Sequence, residues 1–421
     1  MGARATRGGV KFFVATTGSF NYYNSMITSV KSAGLVAVLV FSAGILQAQT
    51  GRLGVFQRNF AAANVQTKIE ILRGAESEDP RAFGPLYEQS LRYVLSNSRE
   101  LYTSPLLREI ARISIDRLDE GEYLPAVGDL WRLFQVFDET STRIRVLEVI
   151  AAMGSGDERV VEGLVDWVRR QHIVSQGGGR PDLQVLSGAV KALGDLQVPQ
   201  GFGVLVDTVL LQYPDFVTTP AREALGKIEG AVADLALAAV RNRPLVERRP
   251  AFTFLLESGL LSQEERLELA RTVLSDAEAA GTGDIRAQEE YRQIRFAAAA
   301  VLRVGEYSPA TPEVIRHFNQ TVLEFERGRI SSGPLLEAIA TLGAMGNEEA
   351  ARRLTSYLEL VNTYTETDRP YDTQIVLAVI GNLESLGNSL AFDAMFYTTL
   401  LENYPSRVRQ RAREALRSVA P

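Results

Sequence analysis

His172 and His317 are the only two histidines in 421 residues, and there is no cysteine. Metal binding, thiol chemistry and most proton transfers near neutral pH draw on these two residue types. Neither histidine has a second metal-type ligand or a nucleophile in register with it. Each is therefore expected as a solvated side chain near a helix end. The missing cysteine removes disulfides, thiolate metal sites, a thiol nucleophile and a lipidated cysteine. No G-x-S-x-G, H-E-x-x-H or phosphate-loop signature occurs. Gln176-Gly177-Gly178-Gly179-Arg180-Pro181-Asp182 is glycine-rich, but no strand pattern precedes it and no Lys-Ser/Thr follows, so it reads as a loop between helices. Ala280-Gly281-Thr282-Gly283-Asp284 lies in the acidic stretch Asp276 to Glu290. Its carboxylate spacing does not match a calcium loop, and a solvated hinge is expected. Glu264, Glu265 and Glu268 follow Ser262, the pattern of a capped helix start. No catalytic, cofactor or metal site is expected, and the chain reads as a non-enzyme.

The side chains best suited to recognition are arginines, forty of them against five lysines. One group closes the chain, with Arg409, Arg413 and Arg417 at i+4 spacing on a single helix. A second group, Arg241, Arg243, Arg248 and Arg249, flanks Pro244. Basic patches on an acidic molecule suit an acidic partner or a lipid head group, so these seven are the candidate partner-binding residues. The aromatics read instead as packing: Trp131 and Phe134 share a face with Val127 and Leu130, and Trp167 sits among Leu164, Val165 and Val168. Phe392, Phe396 and Tyr397 are placed with the core in the same way.

Near the amino terminus, Ala33 to Ala48 (AGLVAVLVFSAGILQA) runs sixteen residues without a charge, after Lys31. The run is short for a membrane span, which wants about 20 residues. It has the three-part form of a secretory signal, with a small residue at the cleavage position. Cleavage is expected after Ala48; a retained anchor is the alternative. Met26 lies where such a signal would start, which makes residues 1–25 an extended leader or an over-long start. Removing 48 residues leaves 41 basic and 51 acidic groups, a net charge of −10. General nucleic-acid binding needs a basic field, so no nucleic-acid partner is expected.

These side chains must be positioned by something, and the chain repeats itself. Ala221-Arg222-Glu223-Ala224-Leu225-Gly226 returns as Ala412-Arg413-Glu414-Ala415-Leu416. Looser copies end in Met153-Gly154, Leu193-Gly194, Leu342-Gly343 and Ile380-Gly381. With Leu302 and weaker anchors at Leu72, Leu118 and about Leu256, the series reaches Leu416 at a mean interval of about 38 residues, enough for two helices and two turns. Alanine or another small residue tends to sit one and four positions before the anchor, as before Leu193, Leu225 and Leu416, which is a single helix face. Gly154, Gly194, Gly346 and Gly387 are expected as left-handed caps, each followed by Asp or Asn starting the next helix. Pro105, Pro125, Pro199, Pro220, Pro312, Pro334 and Pro405 are expected in first turns.

The phrases Val408-Arg409-x-x-Ala412-x-x-Ala415-Leu416 and Ile294-Arg295-x-x-Ala298-x-x-Val301-Leu302 resemble the inner-helix motif of HEAT repeats. Leu342-Gly343-Ala344-Met345-Gly346-Asn347-Glu348-Glu349-Ala350 resembles the corresponding phrase of bacterial HEAT-like proteins. The resemblance spans residues from about 60 to 421 and is specific for architecture. It implies an all-α, right-handed superhelical solenoid of about nine to ten helix pairs over 49–421, the motif helices lining its concave face. The function expected is an exported, periplasmic scaffold that binds a cell-envelope protein along that surface. The alternatives are a HEAT-like enzyme of glycosylase or lyase type, or an adaptor tethered by residues 33–48.

Overall fold

A computed structural model describes residues 51–279, 285–367, 369 and 371–420, the side chains of Ser155 and Ala279 excepted. The expected leader, its cleavage point after Ala48 and the Ala280–Asp284 hinge lie outside the described residues. Among the described residues the chain is all-α, with twenty α-helices, short 3-10 turns and no strand. No described helix is long and apolar enough to cross a membrane. The chain divides into two compact units between Phe137 and Asp138.

The first unit holds α1 (51–62), α2 (Val65–Gly74), α3 (Pro80–Ser96), α4 (Pro105–Glu120) and α5 (Val127–Val136). Its starts are capped as local chemistry predicts: Asn64, Asp79 and Ser104 each accept a first-turn N–H, and Pro80 and Pro105 occupy first positions that need no donor. Helix α2 packs on α4, and α3 packs on both α4 and α5. The end of α1 is closed by a buried cation. The Lys68 ammonium donates to the carbonyls of Phe60, Ala61 and Ala63, and sits 4.7 Å from the Phe60 ring and 4.9 Å from that of Tyr93. A lysine satisfies the orphan carbonyls of a helix C-terminus and opposes its negative dipole end.

The second unit begins with α6 (Thr140–Met153), α7 (Glu158–Gln176), α8 (Leu183–Leu196), α9 (Phe202–Leu210), α10 (Asp215–Lys227), α11 (Val232–Arg241) and α12 (Leu245–Glu257). It continues with α13 (Gln263–Ala279), α14 (Ile285–Val304), α15 (Thr311–Glu326), α16 (Ser332–Gly343), α17 (Glu348–Glu366), α18 (Thr373–Leu386), α19 (Phe392–Leu400) and α20 (Ser406–Val419). Each odd-numbered helix from α7 to α19 packs on the next odd one, a continuous row. The even helices form a second row, α6 on α8 on α10, and again α12 on α14 on α16 on α18 on α20. These neighbour contacts fit stacked helix pairs, each burying a face it cannot bury alone.

All ten sequence anchors fall on even-numbered helices, from Leu72 on α2 to Leu416 on α20. Eight are buried; Leu256 and Leu416 are half-buried beside the buried Leu255 and Ala415. Of the expected left-handed caps, Gly154 closes α6 at a φ of −90° and Gly194 lies within α8, as Gly343 lies within α16. A Cβ at Gly194 would stand 2.6 Å from the Ala224 Cβ, and one at Gly343 would meet the Asn382 side chain. Their role is close approach of one even helix to the next. The left-handed turn after α8 is carried by Gln197 instead, whereas Gly346 and Gly387 do adopt positive φ. Pro220 also departs from expectation, sitting buried inside α10. A proline there supplies no N–H to the carbonyl four residues earlier. That carbonyl, of Phe216, is satisfied by the Ser187 hydroxyl of α8 at 2.7 Å. Ser262 and Glu265 form the expected reciprocal cap at the start of α13, with bonds of 2.8 and 3.3 Å.

Candidate functional site

Both histidines are buried, which corrects the expectation of solvated helix ends. His172 is 4% exposed because α9 covers that face of α7. Its Nδ1 lies 3.2 Å from the Tyr213 hydroxyl, and its Nε2 3.1 Å from the Val204 carbonyl and from the Thr208 hydroxyl. Burial lowers its pKa, and the ring acts as a neutral bracket between helices. His317, fully buried on α15, stands edge-on to Phe296 at 4.7 Å. Burial, with the Arg295 charge nearby, holds it well below the ordinary imidazole range. Among the described residues no three His, Asp or Glu side chains group as metal ligands.

A seam of charge runs through α13, α14 and α15. Arg295, only 1% exposed, donates to Glu324 at 2.8 Å. Arg316 binds Glu278 at 2.9 Å and Glu313 at 3.4 Å, and Arg271 reaches Glu313 at 3.4 Å. Burial pushes the Glu278 carboxyl up to about 7, against the opposing pull of Arg316. Each acid is matched to an arginine on a neighbouring helix, so the seam couples helices and offers no free acid–base pair.

The arginine group around Pro244 separates on inspection. Arg241 forks onto Asp276 at 2.6 and 2.9 Å, tying α11 to α13. Arg243, expected at the surface, is 8% exposed. It binds Asp207 at 2.5 Å and the carbonyls of Ala239 and Gly203, because the turn after α11 directs it back toward α9. Arg248 donates from Nε to the Arg243 carbonyl at 3.1 Å. Only Arg249 is exposed with no hydrogen bond or ion pair among the described residues. At the carboxyl end, Arg413 and Arg417 are exposed, whereas Arg409 is half-buried. The neighbouring Arg411 reaches back to Glu384 on α18.

Arg249 belongs to a site that sequence reasoning did not assemble. The even row is interrupted where α12 packs on α9, α11 and α14, and a cleft of about 400 Å³ opens between α10 and α12. That volume lies in the range of ligand sites, roughly 300–1,000 Å³. Two adjacent stripes of α12 line it at i+4 spacing, Arg249, Thr253 and Glu257, then Pro250 and Phe254, with Ser258 just past the helix end. From α10 comes Arg222, its guanidinium 5.8 Å from the Phe254 ring centre. Arg222 is exposed and, like Arg249, makes no ion pair among the described residues. It is the arginine of the mid-chain repeat phrase, and its partner helix lies about 30 residues away in sequence, too far for periodicity to pair them.

The aromatics divide as well. Trp131, Phe134 and Trp167 are buried as expected, but Phe396 is 48% and Tyr397 39% exposed on α19, which corrects their placement in the core. No protein-family model matches the chain, and no curated protein matches it.

Proposed function

We propose that this chain is a non-enzymatic scaffold that is exported and binds another protein along the exposed face of its even-numbered helices. The observation that carries this reading is the landing of all ten anchors on even-numbered helices, which marks those helices as one element repeated along the chain. Repeated helix pairs stacked in this way ordinarily serve as extended binding surfaces, and the motif phrases resemble HEAT repeats. The residues from which chemistry would be built support the same reading, since His172 is hydrogen-bonded between helices and the buried acids pair with arginines. Export rests on the uncharged run Ala33–Ala48 and the small residue that ends it.

The test is photo-crosslinking in the native cell from single positions on the even helices, Gln184, Arg222 and Arg413, with mass spectrometry of the products. One dominant partner from the cell envelope, crosslinked at two or more of these positions, is expected. Absence of any partner above background would overturn the scaffold reading. Intact mass of the purified protein adds the second half. Loss of 48 residues is expected for an exported form, whereas a full-length mass in the membrane fraction would make it a tethered adaptor.

A further inference from the structure

We infer that the cleft between α10 and α12 is a receptor for an acidic segment of a partner protein, gripping carboxylates with Arg222 and Arg249 and an apolar side chain with Phe254. The inference rests on the scaffold reading and names the chemistry of its partner.

Charge states the case first. Several arginines of the second unit find carboxylates, Arg241 on Asp276, Arg243 on Asp207, Arg316 on Glu278 and Arg411 on Glu384, while others, such as Arg159 and Arg170, stand exposed with no ion pair among the described residues. Arg222 and Arg249 line one cleft and have none among the described residues, although the chain carries more acids than bases. Glu223 is adjacent to Arg222 in sequence but points to another side of α10, since i,i+1 neighbours do not face each other. Glu257 stands eight residues beyond Arg249, about 12 Å along the helix axis, out of pairing reach. The two guanidiniums thus keep their donor forks available, and a planar fork matches a carboxylate with two parallel hydrogen bonds.

Shape and packing state the rest. Phe254 is half-buried, and Arg222 lies over it. Arginine and aromatic side chains together are the residues most often responsible for binding energy at protein interfaces. Thr253 adds a hydroxyl group to the walls, whereas the Ser258 hydroxyl is bonded to the Leu255 carbonyl. Pro250 supplies no N–H to the Val246 carbonyl of its own helix, which leaves an acceptor for a peptide N–H. The cleft is also polar along its length, running from Arg249 to Glu257. An acidic residue is favoured at the arginine end, and a second acid at the Glu257 end is repelled. The ligand class is therefore an extended segment with acidic residues first, an apolar residue next and a neutral or basic residue last.

The experiment measures fluorescence anisotropy of two labelled peptide pools on the purified full chain. One pool carries Asp or Glu at two successive positions, then Leu or Phe, then Lys; the other has Lys at the two acidic positions. Saturable binding of the acidic pool is expected, weakening as salt rises, with the basic pool silent. Arg222→Glu and Arg249→Glu are each expected to weaken the acidic pool about tenfold, whereas Arg170→Glu, at an exposed position on α7, leaves it unchanged. Unchanged far-ultraviolet circular dichroism and melting of the variants assign the loss to the cleft. Equal binding of both pools, no binding, or equal affinity in the Arg222 and Arg249 variants overturns the inference. Displacement of the acidic pool by millimolar inorganic phosphate, or tighter binding to phosphatidylglycerol vesicles than to peptide, overturns it in favour of a small anion or a lipid surface. A partner crosslinked along the even helices but indifferent to Arg222→Glu and Arg249→Glu sinks this inference alone and leaves the scaffold reading standing.

Discussion

Gly194 and Gly381 occupy the same place in the repeat phrase, one position after an anchor, yet their surroundings differ. A Cβ at Gly194 collides with Ala224, whereas at Gly381 nothing lies within 4 Å. Gly194→Ala must push α8 from α10 and is expected to cost about 1–3 kcal/mol, the usual effect of overpacking. Gly381→Ala, inside α18, is expected to stabilise by about 0.5–1 kcal/mol, because alanine restricts the unfolded chain and favours helix. Urea midpoints of the two variants against the parent decide this, and equal shifts would refute the close-approach role. Glu278 gives a second test. Its folded pKa of about 7 stands above the ordinary carboxylate value of 4.5, so the folded state holds the proton more tightly. That contribution is complete below about pH 4.5 and is lost as pH rises through about 7. Burial of neutral His317 acts oppositely as pH falls below the ordinary imidazole value. Replacing Glu278 with Gln isolates the first effect: the gain in Tm over the parent should be larger at about pH 8 than at about pH 5. A constant difference across that range would show that Glu278 does not titrate there.

Between elements, the most informative bond joins α8 to α10. Ser187 supplies the hydrogen bond that Pro220 denies to the Phe216 carbonyl. Ser187→Ala is expected to cost about 1–2 kcal/mol in the parent, where the carbonyl is left without a donor. In a Pro220→Ala background the helix supplies its own N–H, and the same change should cost much less. A double-mutant cycle by chemical denaturation measures the coupling; strictly additive losses would count against this role. At this scale the sequence was most legible. A small residue one and four positions before a large apolar one marks a buried helix face, and Leu193, Leu225 and Leu416 mark alternate helices for that reason. What was not legible follows from the same cause. Periodicity reports which face of a helix is turned inward, but not which polar residue on that face finds a partner on another helix. His172, His317 and Arg243 are polar residues whose partners or neighbours lie on other helices, so they read as surface residues. Density of arginine near Pro244 likewise says nothing of direction, and three of those four are tied internally. No contact in the structure accounts for the exposure of Phe396 and Tyr397.

Across the second unit as a whole, helices touch mainly their near neighbours in sequence, so stability is distributed locally and not held by one central core. Two kinds of place should then open first. The last helix, α20, has neighbours on one side only among the described residues, and α12 sits where the even row is interrupted. Amide hydrogen exchange read by mass spectrometry is expected to be faster in α12 and α20 than in α8 and α16. Uniform protection would show instead that the unit opens as one block. If the cleft takes a peptide as inferred, exchange in α10 and α12 slows when the acidic pool is bound, and that in α16 does not.

The buried Lys68 has a practical corollary. Only three lysines, Lys68, Lys191 and Lys227, lie among the described residues. Lys68 is enclosed by carbonyls and rings, and Lys227 is held by Asp195 at 2.7 Å. Lys191 is exposed on α8 beside the shallow groove shared with α6. Towards amine-reactive reagents, Lys191 and the exposed, ion-paired Lys227 are the two accessible side-chain amines among the described residues, and an acylating dye at limiting dose should enter at Lys191 ahead of Lys227. Either label would place an optical reporter on the row of helices that carries the cleft, without a single substitution.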